Sequence, residues 1–221
     1  MKSIQAPHPW NVSPEQAKEI QELFRYQIVR EDKIGKVRYV AGIDLGFEAQ
    51  GSTTRAVIVI MSVPELIIEE EILSSFPTSF PYVPGLLSFR EIPAILKAFS
   101  KLTICPDLLF CDGQGIAHPR RFGLASHLGL ICNVPSIGVA KSRLIGMHDQ
   151  VGQSRGDWQP LKDDDEIIGS VLRTRTGVKP LYISPGHRIS VETSNNLVLG
   201  CTTEYRLPEP IRRAHYLASK K

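Results

Sequence analysis

The chain has 221 residues, of which 42% are hydrophobic and 22% charged, and its formal net charge is +3 at pH 7. This composition is that of a globular protein and excludes a disordered or fibrous chain, while the small positive charge selects no function by itself. No basic-then-apolar leader opens the chain, and no apolar run approaches the roughly 20 residues that cross a bilayer. We therefore expect a cytoplasmic protein without a membrane anchor.

The cysteine pattern argues against both disulfides and a zinc site, because no CxxC spacing occurs. Three of the four cysteines lie in or beside apolar runs, which is typical of core thiols in a reducing compartment. The four are Cys105, Cys111, Cys132 and Cys201.

The first part of the chain predicts one helix and then three strands. Ser13 is followed by a proline and by Gln16, a pattern typical of a helix start, and apolar residues at helical spacing extend this helix to about Arg30. Runs rich in β-branched residues then alternate with short turns. Strands are predicted over 37–47, 56–61 and 66–73. Because the turns are short, these strands form an antiparallel meander.

The rest of the chain predicts alternating helices and strands after a stiff, exposed loop at 76–85, which carries three prolines and three aromatic rings. The polar segment 147–165 is predicted to be a hairpin or an excursion at the surface. With no internal repeat, residues 1–221 are expected to form a single domain. Helices are predicted over 86–99, 122–131, 190–202 and 208–219, and strands over 108–112, 136–140, 166–173 and 179–183.

The strongest candidate for chemistry is Asp112, which ends a strand of four apolar residues and precedes two glycines, a histidine and two arginines. In open α/β sheets, ligands bind outside the carboxyl ends of the strands. Taken alone, an aspartate at this place is more often a hydrogen-bonded turn residue.

The order of acidic residues strengthens this candidate: Asp44 lies in the first strand, Glu91 in the following helix, and Asp112 at the end of the fourth strand. If the first and fourth strands are parallel neighbours, the two aspartates lie close together, and the helix can bring Glu91 to the same place. Converging carboxylates repel one another unless a cation lies between them, and oxygen ligands favour Mg²⁺ or Mn²⁺. The order also predicts a ribonuclease H-like α/β fold, in which helices flank a mixed sheet of the meander plus parallel strands.

Several strings of residues resemble the endonuclease V family, the deoxyinosine-directed nucleases of DNA repair, and the resemblance covers about residues 11 to 218. It implies Mg²⁺ dependence, with Mn²⁺ as a substitute, and hydrolysis of the second phosphodiester bond 3′ to the deaminated base, which leaves a 3′-OH and a 5′-phosphate. The strings are AGID at 41–44, PYVPGLLSFRE at 81–91, DGQGIAHPR at 112–120, GVAKS at 138–142 and YRLPEP at 205–210.

The resemblance also implies catalytic roles. Asp44 and Asp112 bind Mg²⁺, Glu91 completes the acidic site, and Lys141 and His215 lie near the scissile phosphate. From the residues alone, Lys141 could be a solvated surface lysine. His215 could lie on a merely solvated helix face, and whether it is a metal ligand or a proton shuttle stays open.

The resemblance further implies a DNA wedge at Pro81, Tyr82, Val83 and Pro84, where Tyr82 fills the gap left by an extruded base. From composition alone, this segment would be a proline-rich crossover with an exposed tyrosine. Gly113 and Gly138, which belong to the pocket described next, would be simple turn residues. The implied base pocket is lined by Leu87, Gly113, Leu124 and Gly138. Phosphate contacts are expected from His118, Arg120 and Arg121, and a weaker one from the segment 184–188.

The expected partner is DNA that contains deoxyinosine, bound by a monomer. Three rival functions remain: a nuclease of the same fold that cleaves RNA at inosine, a nucleotide-excision-repair nuclease or junction resolvase, and a non-catalytic nucleic-acid-binding module. Three clustered carboxylates argue against the last of these, because they would repel a nucleic acid and a protein that only binds it gains nothing from them.

Overall fold

The computed structural model describes residues 4–220, and within that range helices flank both faces of one eight-stranded sheet. None of these helices is both long and apolar enough to cross a membrane. The helices are α1 (Pro14–Phe24), α2 (Leu87–Phe99), α3 (Leu124–Cys132), α4 (Val191–Gly200) and α5 (Glu209–Ser219). The strands are β1 (Tyr39–Glu48), β2 (Thr53–Ser62), β3 (Ile67–Pro77), β4 (Leu108–Asp112), β5 (Ser136–Ala140), β6 (Trp158–Asp163), β7 (Glu166–Leu172) and β8 (Leu181–His187).

The strands are arranged in the order β3-β2-β1-β4-β5-β8-β7-β6. The first three form an antiparallel meander, β4 and β5 add in parallel to β1, and the last three strands are antiparallel to their neighbours. The predicted α/β fold, a mixed sheet with a three-strand meander and flanking helices, is therefore confirmed. The pairing that matters most for function is the parallel contact between β1 and β4.

The predicted end of the first helix was wrong, whereas one of the two alternatives predicted for 147–165 agrees with the structure. The first helix ends at Phe24 and continues only as a short 3-10 turn, Arg25–Gln27, rather than reaching Arg30. The segment 147–165, predicted to be a hairpin or a surface excursion, contains β6, which forms a hairpin with β7 at the edge of the main sheet. Only Leu161 of this strand is buried. An exposed edge strand therefore lacks the apolar pattern by which a strand is recognised.

Side chains of the central strands alternate between two cores, one on each face of the sheet. In β4, Leu108 and Phe110 join the core that includes Ile211 of α5, whereas Leu109 and Cys111 join the core beneath α2 and α3. The strand is therefore buried on both faces, which explains its four consecutive apolar residues. Asp112 follows at the point where the strand leaves the core.

Helix α5 lies directly against the backbone of β1, because β1 carries glycines on that face. A Cβ atom on Gly42 would lie 2.1 Å from the carbonyl of Pro210, and one on Gly46 would lie 2.5 Å from the carbonyl oxygen of Ala218. Arg55 of β2 holds the other end of the helix, since its guanidinium donates a hydrogen bond of 2.6 Å to that same Ala218 oxygen. These contacts fix the height of α5 above the sheet.

We expect the substitution Gly42→Ala to destabilise the protein, because the added methyl group overlaps the start of α5 and must push the helix away. Overpacking of this kind costs about 1–3 kcal/mol, measured as the loss in free energy of unfolding by urea. The matched control is Gly35→Ala, since nothing lies within 4 Å of a Cβ at Gly35. Equal stability of the Gly42 variant and the wild type would contradict this close packing of α5 on β1.

Candidate active site

The pairing of β1 with β4 brings two aspartates side by side. The parallel register ends with Ile43 opposite Cys111, so Asp44 and Asp112 are the next residues along each strand. Both belong to the alternating positions that face α5 rather than α2 and α3. The expectation that these two acids, 68 positions apart in the chain, converge is therefore met in the structure.

The third member of the cluster is His215, which α5 holds above the two acids. Its Nδ1 lies 2.7 Å from Oδ2 of Asp44 and 4.0 Å from Oδ2 of Asp112. One potential ligand atom from each of these three residues lies within 4.8 Å of the others. Two carboxylates and an imidazole within this distance form a group that could hold a divalent metal ion.

The surroundings of Asp44 favour the protonated form of its carboxyl group. Burial and the nearby charge of Asp112 raise the pKa of Asp44, although the Leu45 amide, His215 and Lys141 act in the opposite direction. The Leu45 amide donates a hydrogen bond of 2.7 Å to Oδ1 of Asp44. A bound cation would reverse the repulsion between the two acids, because it favours the ionised form of both.

Glu91 lies in the same cleft but outside the three-residue cluster. It lines the cleft with Asp112, and burial, followed by the charges of Asp44 and Asp112, raises its pKa to about 8. The charges of both aspartates therefore reach Glu91, as the order of acids in the sequence suggested. Its direct coordination of a metal ion stays a prediction.

Lys141 follows the end of β5 and makes an ion pair with the site. Its ammonium group donates a hydrogen bond of 2.6 Å to Oδ2 of Asp112, and 38% of its side chain is exposed. Lys141 is therefore not simply solvated. It lies beside the carboxylate cluster at the cleft, where a negatively charged group from solution could reach it.

A cleft of about 390 Å³ adjoins this cluster. Of the four predicted pocket residues, Leu87, Gly113 and Leu124 line it, together with Tyr82 and Pro84 of the predicted wedge. Gly138 has a different place: a Cβ there would lie 2.4 Å from the Gly115 nitrogen, so this glycine lets the turn after Asp112 pack onto β5. Gln21 of α1 and Ser88 of α2 also line the cleft, and neither one was assigned a role from the sequence, although Ser88 lies within the string PYVPGLLSFRE.

The predicted wedge has an exposed tip and a firmly held base. The Tyr82 side chain is 70% exposed, whereas Phe80 is only 3% exposed. On one side of the tip, Arg90 donates hydrogen bonds to the carbonyls of Phe80 and Gly51, at 2.8 and 2.9 Å. The predicted stiffness of this loop therefore comes from these bonds as well as from its prolines.

On the other side of the tip, the Gly85 carbonyl accepts three hydrogen bonds. The donors are the amide of Gln21 at 3.0 Å, the ring of His118 at 3.0 Å and the guanidinium of Arg120 at 2.9 Å. Arg120 also donates to Oε1 of Gln21 at 2.5 Å. Two of the three predicted phosphate contacts thus hold the wedge loop in this structure.

The remaining predicted phosphate contacts also have partners within the protein. Arg121 pairs with Asp163 at 2.7 Å and Glu166 at 2.6 Å, and only 11% of its side chain is exposed. In the segment 184–188, Ser184 is buried in β8 and accepts a hydrogen bond of 2.7 Å from the Gly115 amide. Contact of any of these residues with phosphate stays a prediction.

Comparison with known proteins gives consistent results. A family model described as Endonuclease V matches residues 22–216. A protein from Nostoc named Endonuclease V is 55% identical over 219 residues, which cover 99% of each chain. Among solved structures, Endonuclease V from Streptomyces avermitilis is 38% identical, with a TM-score of 0.90 and coverage of 98% of this chain and 96% of that one.

A further solved structure is Endonuclease V from Ciona intestinalis, carrying a D234N substitution in that protein's own numbering, in complex with DNA that contains an inosine followed by a ribo-adenosine. It is 28% identical to this chain, with a TM-score of 0.80, and the match covers 94% of this chain and 97% of that one.

The burial of His118 generates a pH prediction. Burial, aided by the charge of Arg120, lowers the pKa of His118 to about 4, so the ring is neutral at pH 7. In the unfolded chain the same ring binds a proton near pH 6.5. As the pH falls from about 6.5 to 4, the proton therefore binds to the unfolded state before the folded state, and this favours unfolding. We expect stability to decrease across this window and the decrease to be smaller in His118→Gln, measured by urea unfolding at several pH values. Identical pH dependence in variant and wild type would refute this role for the buried ring.

Proposed function

The chain belongs to the endonuclease V family, and on that premise we propose that it is a Mg²⁺-dependent DNA-repair endonuclease that acts at deoxyinosine. It hydrolyses the second phosphodiester bond 3′ to the lesion and leaves a 3′-OH and a 5′-phosphate. The observation that carries the proposal is the cluster of Asp44, Asp112 and His215, whose potential ligand atoms lie within 4.8 Å of one another beside a cleft.

The residues present fit a hard divalent cation. Asp44 and Asp112 would hold it, with His215 or Glu91 completing the set, and carboxylate oxygens are the ligands that Mg²⁺ and its substitute Mn²⁺ prefer. When bound, the ion supplies an activated water and neutralises charge on the phosphate.

Lys141 and His215 are the two further residues placed to act during hydrolysis. Lys141, now paired with Asp112 at 2.6 Å, is placed to donate a hydrogen bond to a phosphate oxygen and stabilise the negative charge that develops there. His215 is about half exposed, at 51% of its side chain, so its ring can either coordinate the ion or carry a proton to the leaving oxygen.

The cleft is suited to a base that has left the helical stack. Leu87 and Leu124 supply apolar walls, and Gly113 lets the backbone come close to the base. A base can be examined there only after extrusion from the duplex, which costs least at a weak pair such as one with inosine. Tyr82, exposed at the edge of the cleft, would fill the gap that the extruded base leaves.

We also propose that residues 1–221 form a single domain, since all eight described strands belong to one sheet, and that the protein acts as a monomer. An alternative substrate is RNA that contains inosine. The Ciona relative gives it some support, because the DNA in that complex has a ribonucleotide directly after the inosine. Cleavage of matched DNA and RNA strands, measured side by side, separates the two.

We expect a duplex with one deoxyinosine to be nicked only with Mg²⁺ present, at the second bond 3′ to the lesion. Asp44→Asn and Asp112→Asn should still bind this duplex, while the rate of nicking falls by at least about a hundredfold, because a metal ligand is lost. A denaturing gel measures the position and rate of the nick, and a titration measures binding of the duplex. The control is Asp165→Asn, in the exposed turn between β6 and β7. Full nicking by either site variant would rule out the metal site.

Tyr82→Ala should weaken binding of the inosine duplex by about 5- to 100-fold, because stacking of one base on an aromatic ring contributes about 1–3 kcal/mol. The matched control is Tyr26→Ala, because Tyr26 is also highly exposed, at 80%, but does not line the cleft. Affinity is measured by titration in the absence of metal. Equal affinity of wild type and Tyr82→Ala would exclude a wedge at this position.

A further inference from the structure

A chain of three hydrogen-bonded side chains runs from the N-terminal segment to the wall of the cleft. Nε2 of His8 lies 2.7 Å from Nε2 of His127, and Nδ1 of His127 lies 2.9 Å from the hydroxyl oxygen of Ser88. Ser88 and His127 are only 3% and 1% exposed. Ser88 also lines the cleft, so the far end of the chain borders the place proposed for the extruded base.

Both rings in this chain are neutral at pH 7. Burial lowers the pKa of His8. Burial, followed by repulsion from the protonated form of His8, lowers the pKa of His127 well below its ordinary value. The neighbours of the rings are aromatic: Trp10 stacks on His127 at 5.6 Å, and Phe89 and Phe122 pack against it. Each neutral ring then has one nitrogen that donates and one that accepts.

The hydrogen bond at the outer end decides which nitrogen donates in each ring. Nδ1 of His8 lies 2.9 Å from the carbonyl oxygen of Pro9. A carbonyl only accepts, so this Nδ1 carries the proton and Nε2 of His8 is an acceptor. His127 must therefore donate from Nε2, which leaves its Nδ1 as an acceptor. The Ser88 hydroxyl consequently donates its single proton to His127.

From this order of donors we propose that Ser88 is a specificity-determining residue, whose oxygen accepts a hydrogen bond from N1–H of the extruded hypoxanthine, and that His8 and His127 are positioning residues that keep it an acceptor. The proposal rests on the function proposed above and adds a determinant of base selection to it. With its own proton committed to His127, the Ser88 oxygen has only lone pairs left for a base.

The choice of N1 follows from the chemistry of the two bases. Deamination changes position 6 from an amino donor to an oxygen acceptor, and it changes N1 from an acceptor to an N–H donor. An oxygen that can only accept therefore favours hypoxanthine over adenine at N1, whereas at position 6 it would favour adenine. A buried acceptor that meets the N1 lone pair of adenine lacks a partner and is repelled, which adds to the discrimination.

The test compares single-turnover nicking of two duplexes that differ only in inosine or adenine at one position. In Ser88→Ala we expect the rate on inosine to fall by about tenfold, as for loss of one hydrogen bond, with little change on adenine. Ser88→Thr keeps the hydroxyl and should restore most of the preference. The control for removal of a buried hydroxyl is Ser126→Ala, whose hydroxyl has no partner among residues 4–220. An unchanged preference in a folded Ser88→Ala protein would overturn the proposal.

Two further measurements test the positioning role of His8 and His127. In His8→Ala, His127 loses the acceptor that fixes its tautomer, so the preference for inosine should fall while the wild-type Mg²⁺ dependence of nicking is kept. In the wild-type protein, ¹⁵N NMR of His127 should show a protonated Nε2 and a bare Nδ1, and the opposite assignment would refute the order of donors. If wild-type protein does not nick inosine DNA at all, the proposed function fails; if it does and Ser88→Ala keeps the preference, this inference alone fails.

Discussion

The close contact between α5 and the backbone of β1 is the constraint on which the site depends. Without side chains at Gly42 and Gly46, the helix can lie against the strand itself. His215 then reaches Asp44 at 2.7 Å, and Asp112 is brought alongside by the parallel pairing of β1 and β4. A helix set farther from the sheet would leave two aspartates without their third partner.

The same geometry gathers negative charge in a partly buried place. Burial, followed by the charges of the neighbouring carboxylates, raises the pKa values of both Asp44 and Glu91. Such an arrangement lowers stability unless a positive charge offsets it. Lys141 provides part of that charge within the protein, and a divalent cation would provide the rest. The clustering of carboxylates that lowers the stability of the protein is thus the same feature that suits them to hold a metal ion.

Much of this arrangement could be predicted from the sequence. The four apolar residues before Asp112 indicated a strand buried on both faces, and the order of Asp44, Glu91 and Asp112 indicated convergence. The sequence indicated a hairpin or an excursion at 147–165 but not the bounds of strand β6, because an edge strand with one buried residue has almost no apolar face. The partners of His118, Arg120 and Arg121 within the protein could not be predicted either, because they come from distant parts of the chain. Arg120 donates a hydrogen bond to Gln21, and Arg121 pairs with Glu166. Charge in a sequence shows what a side chain can bind, but only the fold shows what it already binds.

The Gly85 carbonyl joins two parts of the molecule that perform different tasks. It belongs to the loop that carries Tyr82, and two of its three donors, His118 and Arg120, come from the segment that follows Asp112. The loop cannot be displaced as a unit without breaking these bonds. A displacement of Tyr82 would therefore also strain the chain beside the carboxylate cluster, so under the proposed function the wedge and the metal site are mechanically coupled.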